Sequence, residues 1–310
     1  MISLRRWKMN RYLSTGLVLG MLVLAIVPGR TSVEAASVGS DLSGYSVAVF
    51  SDGLAAQHNQ SELALVNMFT WMNASVELVT GEDIRNGRLD EYDILTMPAT
   101  SPYTFFVKMG GDGVDAFREF VMNGGSFFGV LGGNYFEWDA YFDYNDCFLI
   151  DGRLNSPTEE YGYNQLVVEI DVNHDCAGPD LSEQPEKLNV TYWESGYFSG
   201  FEDNPGSVVA TYSENGLPAM VAYELWNGSV FMTSVFPEFE ENSNRDGASL
   251  FDHLDDSDSE WGLMLDVSKW LIESSVYTTN SDSGFIHPAI IAGASIAVVA
   301  VAAFGLTRRR

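Results

Sequence analysis

Residues 111–136 read GDGVDAFREFVMNGGSFFGVLGGNYF, and the fold turns on how this stretch divides. Val114, Phe117, Phe120 and Val121 recur at helical spacing and form one apolar face, while Gly124-Gly125 supplies a helix stop. The next five residues, Ser126–Val130, read as a buried strand that breaks into Gly132-Gly133. Many hydrolases carry a cysteine or serine between glycines at such a junction. Here the residue is Leu131.

Outward from this point the chain alternates. Upstream, YSVAVF (45–50) is an apolar strand followed by a turn at SDG. SELALVNMFTWMN (61–73) places Leu63, Val66, Met68, Phe69 and Met72 on a helix face, with Ser61 positioned as a cap. SVELVT (75–80) alternates as a strand, residues 81–92 form a short polar connection, and DILTMPAT (93–100) is another buried strand. Strand and helix in this order predict an α/β domain with a parallel sheet covered on both faces. Function in such sheets gathers at the carboxyl ends of the strands, here Ser51-Asp52, 98–103 and 129–135. The second half is β-rich: QLVVEIDVN (165–173), LNVTYWESGYFSGF (188–201), SVVATYS (207–213) and 219–240 all read as strands, with Asn227-Gly228 as a hairpin turn. A last amphipathic helix follows, with Trp261, Met264, Leu265, Leu271 and Ile272 on one side.

Both ends of the chain suggest export. Arg5, Arg6, Lys8 and Arg11 precede an apolar run and then small residues, the order of a signal peptide over 1–36. Residues 288–306 carry no charge, and their length of about 28 Å as a helix matches the hydrocarbon core of a bilayer. Arg308–Arg310 then form a basic cytoplasmic tail over 307–310. The expected organisation is an exported domain at 37–276, a polar stalk at 277–287 and one C-terminal transmembrane helix. The protein would be single-pass, with its main domain outside the cell membrane.

The chain has 43 acids against 16 Lys and Arg, a net charge of −27. Eight of those bases lie in the two terminal segments, so the exported body carries about 34 excess negative charges. Such a body repels nucleic-acid phosphate and anionic lipid, which excludes nucleic acid as a partner. It suits either a solvated acidic surface or cation binding. The best local candidate for the latter, DHLDDSDSE (252–260), lacks the glycine and ligand spacing of a calcium loop. The two cysteines, Cys147 and Cys176, are a candidate disulfide outside the cell and lack metal-site spacing. Asn59, Asn73, Asn189 and Asn227 head glycosylation sequons.

The stretch 101–136, the segment TYWESGYF (191–198) and the late GSVFMTSVFPEFE (228–240) together resemble the class I glutamine amidotransferase-like family. The closest flavour is the N-terminal domain of biotin-protein ligases, over roughly residues 43–275. The resemblance implies a flavodoxin-like doubly wound parallel sheet with a catalytic cysteine, histidine and glutamate. Carried over position by position, the cysteine is Leu131, the histidine is Phe236, and the glutamate survives as Glu238. The loop that builds the oxyanion hole reads PATSPY, with Ala99-Thr100 in place of glycines. Leucine cannot attack a carbonyl and phenylalanine cannot carry a proton, so thiol-based glutamine hydrolysis is excluded in this register.

Three readings of function follow. The first is a non-catalytic domain that binds a small ligand or another exported protein at the remnant cleft, through Ser101, Tyr103, Gly132, Asn134, Tyr135 and Glu238. The second is a glycan or amide hydrolase using Glu238 with a second carboxylate. The third is a structural acidic envelope glycoprotein. The aromatic crowding at 135–144 and at Tyr192, Trp193, Tyr197 and Phe198 reads either as core packing or as the floor of a ligand cleft. No cofactor or metal is expected.

Overall fold

The computed structural model describes residues 40–52, 58–100, 102–131, 153–155 and 160–275. The signal segment, the stalk and the proposed transmembrane helix lie outside these residues. Among the described residues no helix is long and apolar enough to cross a membrane.

The first half forms the expected alternation. Strand β1 (Ser46–Phe50) leads to α1 (His58–Trp71), then β2 (Ser75–Val79), β3 (Ile94–Met97), and α3 (Pro102–Met122) into β4 (Ser126–Val130). The connection at 81–92, expected as plain loop, contains a helix, α2 (Gly81–Arg85), and a 3-10 turn at Arg88–Glu91. A capping box makes the short helix possible: the Asp83 N–H donates to the Thr80 hydroxyl, and the Asp83 carboxylate accepts from the Thr80 N–H at 2.9 Å. Helix α3 begins at Pro102, earlier than the periodicity of 111–125 indicates, because Gly110 (φ 65°, ψ −179°) joins two helical segments across a kink. It ends where expected, with Gly124 at φ 108°.

The second half is β-rich as expected, and its longer strands continue the same sheet, which is therefore mixed rather than all parallel. Strands β6 (Gln165–Val172), β7 (Lys187–Trp193), β9 (Val208–Tyr212), β10 (Pro218–Leu225) and β11 (Gly228–Thr233) all join the same sheet. Two-residue strands β5 (Arg153–Leu154) and β8 (Phe198–Ser199) pair separately. The order of the nine-stranded sheet is β2-β1-β3-β4-β11-β10-β9-β6-β7. The first five strands are parallel in the flavodoxin-like order, and the fifth place is taken by β11, late in the chain. From β10 onward every pairing is antiparallel; short turns join β9 to β10 and β10 to β11, and longer connections without crossover α-helices join the rest.

Strand pleating divides the core into two layers. Val47, Val49, Phe128 and Phe231 point to one face and pack with α1 and the final helix, α4 (Trp261–Ser274). Ala48, Phe50, Phe127 and Met232 point to the other and pack with α2 and α3. The runs SVAVF, SFFGV and GSVFMT are apolar throughout because both of their faces are covered.

The β10–β11 hairpin forms, but its register pairs Leu225 with Gly228, so the turn residues are Trp226-Asn227 rather than Asn227-Gly228. Trp226 takes the positive φ of 57°. Gly228 is needed for another reason: a Cβ there would lie 2.2 Å from the Gly125 carbonyl oxygen and 2.5 Å from that of Val121. Both obstacles are backbone atoms. Gly228→Ala is therefore expected to destabilise the fold by about 2–3 kcal/mol, measured as a lower urea midpoint with an unchanged slope.

Candidate functional site at the carboxyl ends of the strands

Leu131 follows β4 directly and has φ 42°, a left-handed conformation that costs an L-residue about 1–2 kcal/mol. A left-handed residue directly after a strand is one feature of a nucleophile elbow. The side chain is hydrocarbon and packs, partly buried, against the core layer of α1 and α4.

Phe236 lies beyond β11, and its N–H donates to the Thr191 carbonyl at 3.0 Å in an isolated antiparallel bridge. The ring is 3% exposed and sits among Phe239 and Phe251, with centroids 6.1 and 5.6 Å away. The ring is part of an aromatic cluster, and residues 131 and 236 both carry packed hydrocarbon.

Glu238 is fully buried. The Ser61 hydroxyl donates to its Oε1 at 2.5 Å, and the Ala99 N–H donates to that hydroxyl oxygen at 3.0 Å. The glutamate carbonyl accepts from the Trp261 indole N–H at 3.1 Å. Its Oε2 has no hydrogen-bond partner among the described residues. Burial pushes the carboxyl up to about 8, against the smaller lowering by Ser61, so near neutral pH it holds its proton. Ser61 therefore does not cap α1, which begins three residues earlier. It ties α1 to the loop after β3 and to the loop after β11. As placed, the Glu238 carboxyl is closed off from solvent and bonded to Ser61 rather than to a second carboxylate.

Two polar pairs flank the strand ends; the sequence reading placed Ser51-Asp52 there but did not single out their partners Glu62 and Lys108. Glu62, in the first turns of α1, hydrogen-bonds Ser51 just past β1, and partial burial raises its carboxyl. Asp52 accepts from the Gly81 N–H at 3.1 Å and lies 3.4 Å from the Lys108 ammonium. Their one sequence signal was position, immediately after a predicted strand.

No protein-family model matches the chain, and no curated protein does. Solved structures are similar at low identity. A glutamine amidotransferase from Thermotoga maritima is 12% identical over 74% of this chain and 90% of that one, with a TM-score of 0.46. A protein described as ThuA-like from Parabacteroides merdae is 14% identical over 77% of this chain and 94% of that one, with a TM-score of 0.46. Another so described, from Bacteroides uniformis, is 15% identical over 65% and 85%, with a TM-score of 0.45. None of the three is described as a biotin-protein ligase.

The remaining site residues divide by position. Ser101, Gly132, Asn134, Tyr135 and Cys147 lie outside the described residues, as do the aromatics at 135–144. Tyr103 has its backbone in the first turn of α3, and its side chain lies outside them. Cys176 is half-buried and donates its S–H to the Gly206 carbonyl at 3.3 Å, with burial raising the thiol. Tyr192 proves to be core: it packs on Tyr161 and Tyr212, and its hydroxyl donates to the Gly162 and Ser195 carbonyls. Asn59, Asn73 and Asn227 are exposed, whereas Asn189 is half-buried in β7 and donates its N–H to Asp258.

Proposed function

We propose that the protein is a non-catalytic amidotransferase-like domain that binds a small molecule or another exported protein at the remnant cleft. The cleft would be framed by Ser51, Glu62 and Leu131. In this reading the domain is closest to the N-terminal domain of biotin-protein ligases, is exported, and is held at the membrane by residues 288–306. The supporting observation is the pairing of a left-handed backbone at Leu131 with a sealed aromatic environment at Phe236. The left-handed backbone stands at residue 131, and neither Leu131 nor Phe236 carries a group that could do chemistry. Binding needs only the shape.

The test has two arms. Thermal-shift screening of the purified chain against metabolites and surface extracts is expected to yield a stabilising ligand, and Glu62→Gln with Leu131→Ala is expected to abolish that shift. In the second arm, the natural chain is expected to release no ammonia from glutamine, and Leu131→Cys alone is expected to release none either, because residue 236 is a phenylalanine that cannot carry a proton. Glutamine turnover by the natural chain that thiol alkylation stops would overturn the reading.

A further inference from the structure

The nine-stranded sheet ends differently at its two edges. At β7 the segment after β11 closes the edge: the Asn189 N–H donates to Asp258 at 3.1 Å, and the Thr191 carbonyl accepts from the Phe236 N–H at 3.0 Å. At β2 the Ser75 N–H donates inward to the Tyr45 carbonyl, and the Val79 carbonyl accepts from the Ser51 N–H. By strand alternation, Val76 and Leu78 turn their backbone groups outward. Among the described residues no protein group pairs with them on that side, and Leu78 is 48% exposed. An edge left in this state recruits strands from other chains unless something blunts it.

The four glycosylation sequons differ in a way that only the fold shows. Modification of the folded domain needs an exposed asparagine amide and, two residues on, a hydroxyl that the transferase can reach. Ser61, Thr191 and Ser229, the hydroxyl residues for Asn59, Asn189 and Asn227, are at most 2% exposed. Ser61 is also tied to Glu238 and Ser229 to the Leu271 carbonyl. In Asn73-Ala74-Ser75 both Asn73 and Ser75 are exposed. Asn73 takes φ 64° in the turn from α1 into β2, and its side-chain amide donates to Asp41 at 2.8 Å.

We propose that Asn73 carries an N-linked glycan and that this glycan covers the β2 edge. The donor is an oligosaccharide held on a lipid phosphate. Nδ2 of Asn73 bonds to the anomeric carbon, the bond from that carbon to the phosphate oxygen breaks, the lipid phosphate leaves and the amide gives up one proton. The amide hydrogen that remains serves Asp41. Asn73 lies two residues before a strand of five residues, about 17 Å long. A hydrated glycan rooted there stands over Val76 and Leu78 and does for β2 what the segment at Phe236 and Asp258 does for β7.

The test uses the chain isolated from the membranes of its native cells. Peptide mass spectrometry with electron-transfer fragmentation is expected to find glycan on Asn73 and to find Asn59, Asn189 and Asn227 bare. Ser75→Ala removes the hydroxyl and leaves the Asn73 turn intact, so it is expected to lose the glycan mass, whereas Ser75→Thr is expected to keep it. The Ser75→Ala chain is expected to sediment as dimers or larger species where the natural chain is monomeric, and adding Leu78→Lys is expected to restore the monomer. A bare Asn73 on membrane-held chain would overturn the inference and leave the proposed cleft untouched, and so would glycan spread evenly over the four sequons. A Ser75→Ala chain that loses the glycan and stays monomeric would overturn the shielding of β2. Bare Asn73 on a chain found only in the cytoplasm would overturn the inference together with the export on which it rests.

Discussion

Glu238→Gln is expected to match the natural chain in stability at pH 4 and to exceed it by about 3–5 kcal/mol at pH 9, with a chelator present. Burial raises this carboxyl from its ordinary 4.5 to about 8 in the folded state. Below pH 4.5 both folded and unfolded chains hold the proton, and the group adds no pH dependence. Between 4.5 and 8 the unfolded chain releases a proton that the folded chain keeps, so stability falls as pH rises. Above 8 the folded carboxyl ionises as well, and the loss is complete. The amide stays neutral throughout. It can accept from the Ser61 hydroxyl as Oε1 does, and its NH₂ replaces a protonated Oε2 that also lacks a partner, so the substitution costs little in acid. Urea midpoints of both proteins from pH 4 to 9 measure the difference directly. Parallel curves would mean that Glu238 does not titrate as a buried acid.

Trp261→Ala is expected to cost about 3–5 kcal/mol, the range for deleting a buried aromatic ring. Trp261 is fully buried at the start of α4 and does three jobs there. Its indole N–H satisfies the Glu238 carbonyl, its ring carries the Arg245 guanidinium, and it packs 5.6 Å from Trp71 of α1. Removal leaves a cavity, an unpaired carbonyl and an unsupported cation beside the buried acids. Trp261→Phe keeps most of the ring and loses the donor, so it is expected to cost less, about 1–2 kcal/mol. Chemical denaturation of the two variants separates packing from hydrogen bonding. An alanine variant within about 1 kcal/mol of the natural chain would show that this corner of the fold is not held by the tryptophan.

Much of the parallel core was readable one segment at a time. The apolar runs at 46–50, 94–97 and 126–130, the helix face from Leu63 to Met72 and the stop at Gly124 are local patterns, and each became the element it indicated. Periodicity and turn chemistry act within about a dozen residues, so the chain displays them directly. The same holds for what a side chain cannot do: Leu131 is no nucleophile and Phe236 no base in any geometry. Where reading failed locally, a competing local term was at work. The Thr80–Asp83 box made a helix in a polar connection, and close backbone approach rather than turn type placed Gly228.

Tertiary structure decided everything that joins distant segments. No pattern in GSVFMT says that it will lie beside SFFGV as the fifth parallel strand, with β10, β9, β6 and β7 continuing one sheet. Ser61 looks like a helix cap until Glu238, 177 residues away, is folded against it. The acids of 238–260 look like a solvated surface until Trp261 and the core close over them. Burial, and with it whether a carboxyl is charged, belongs to the packed molecule, because it depends on which atoms displace water and those atoms come from elsewhere in the chain.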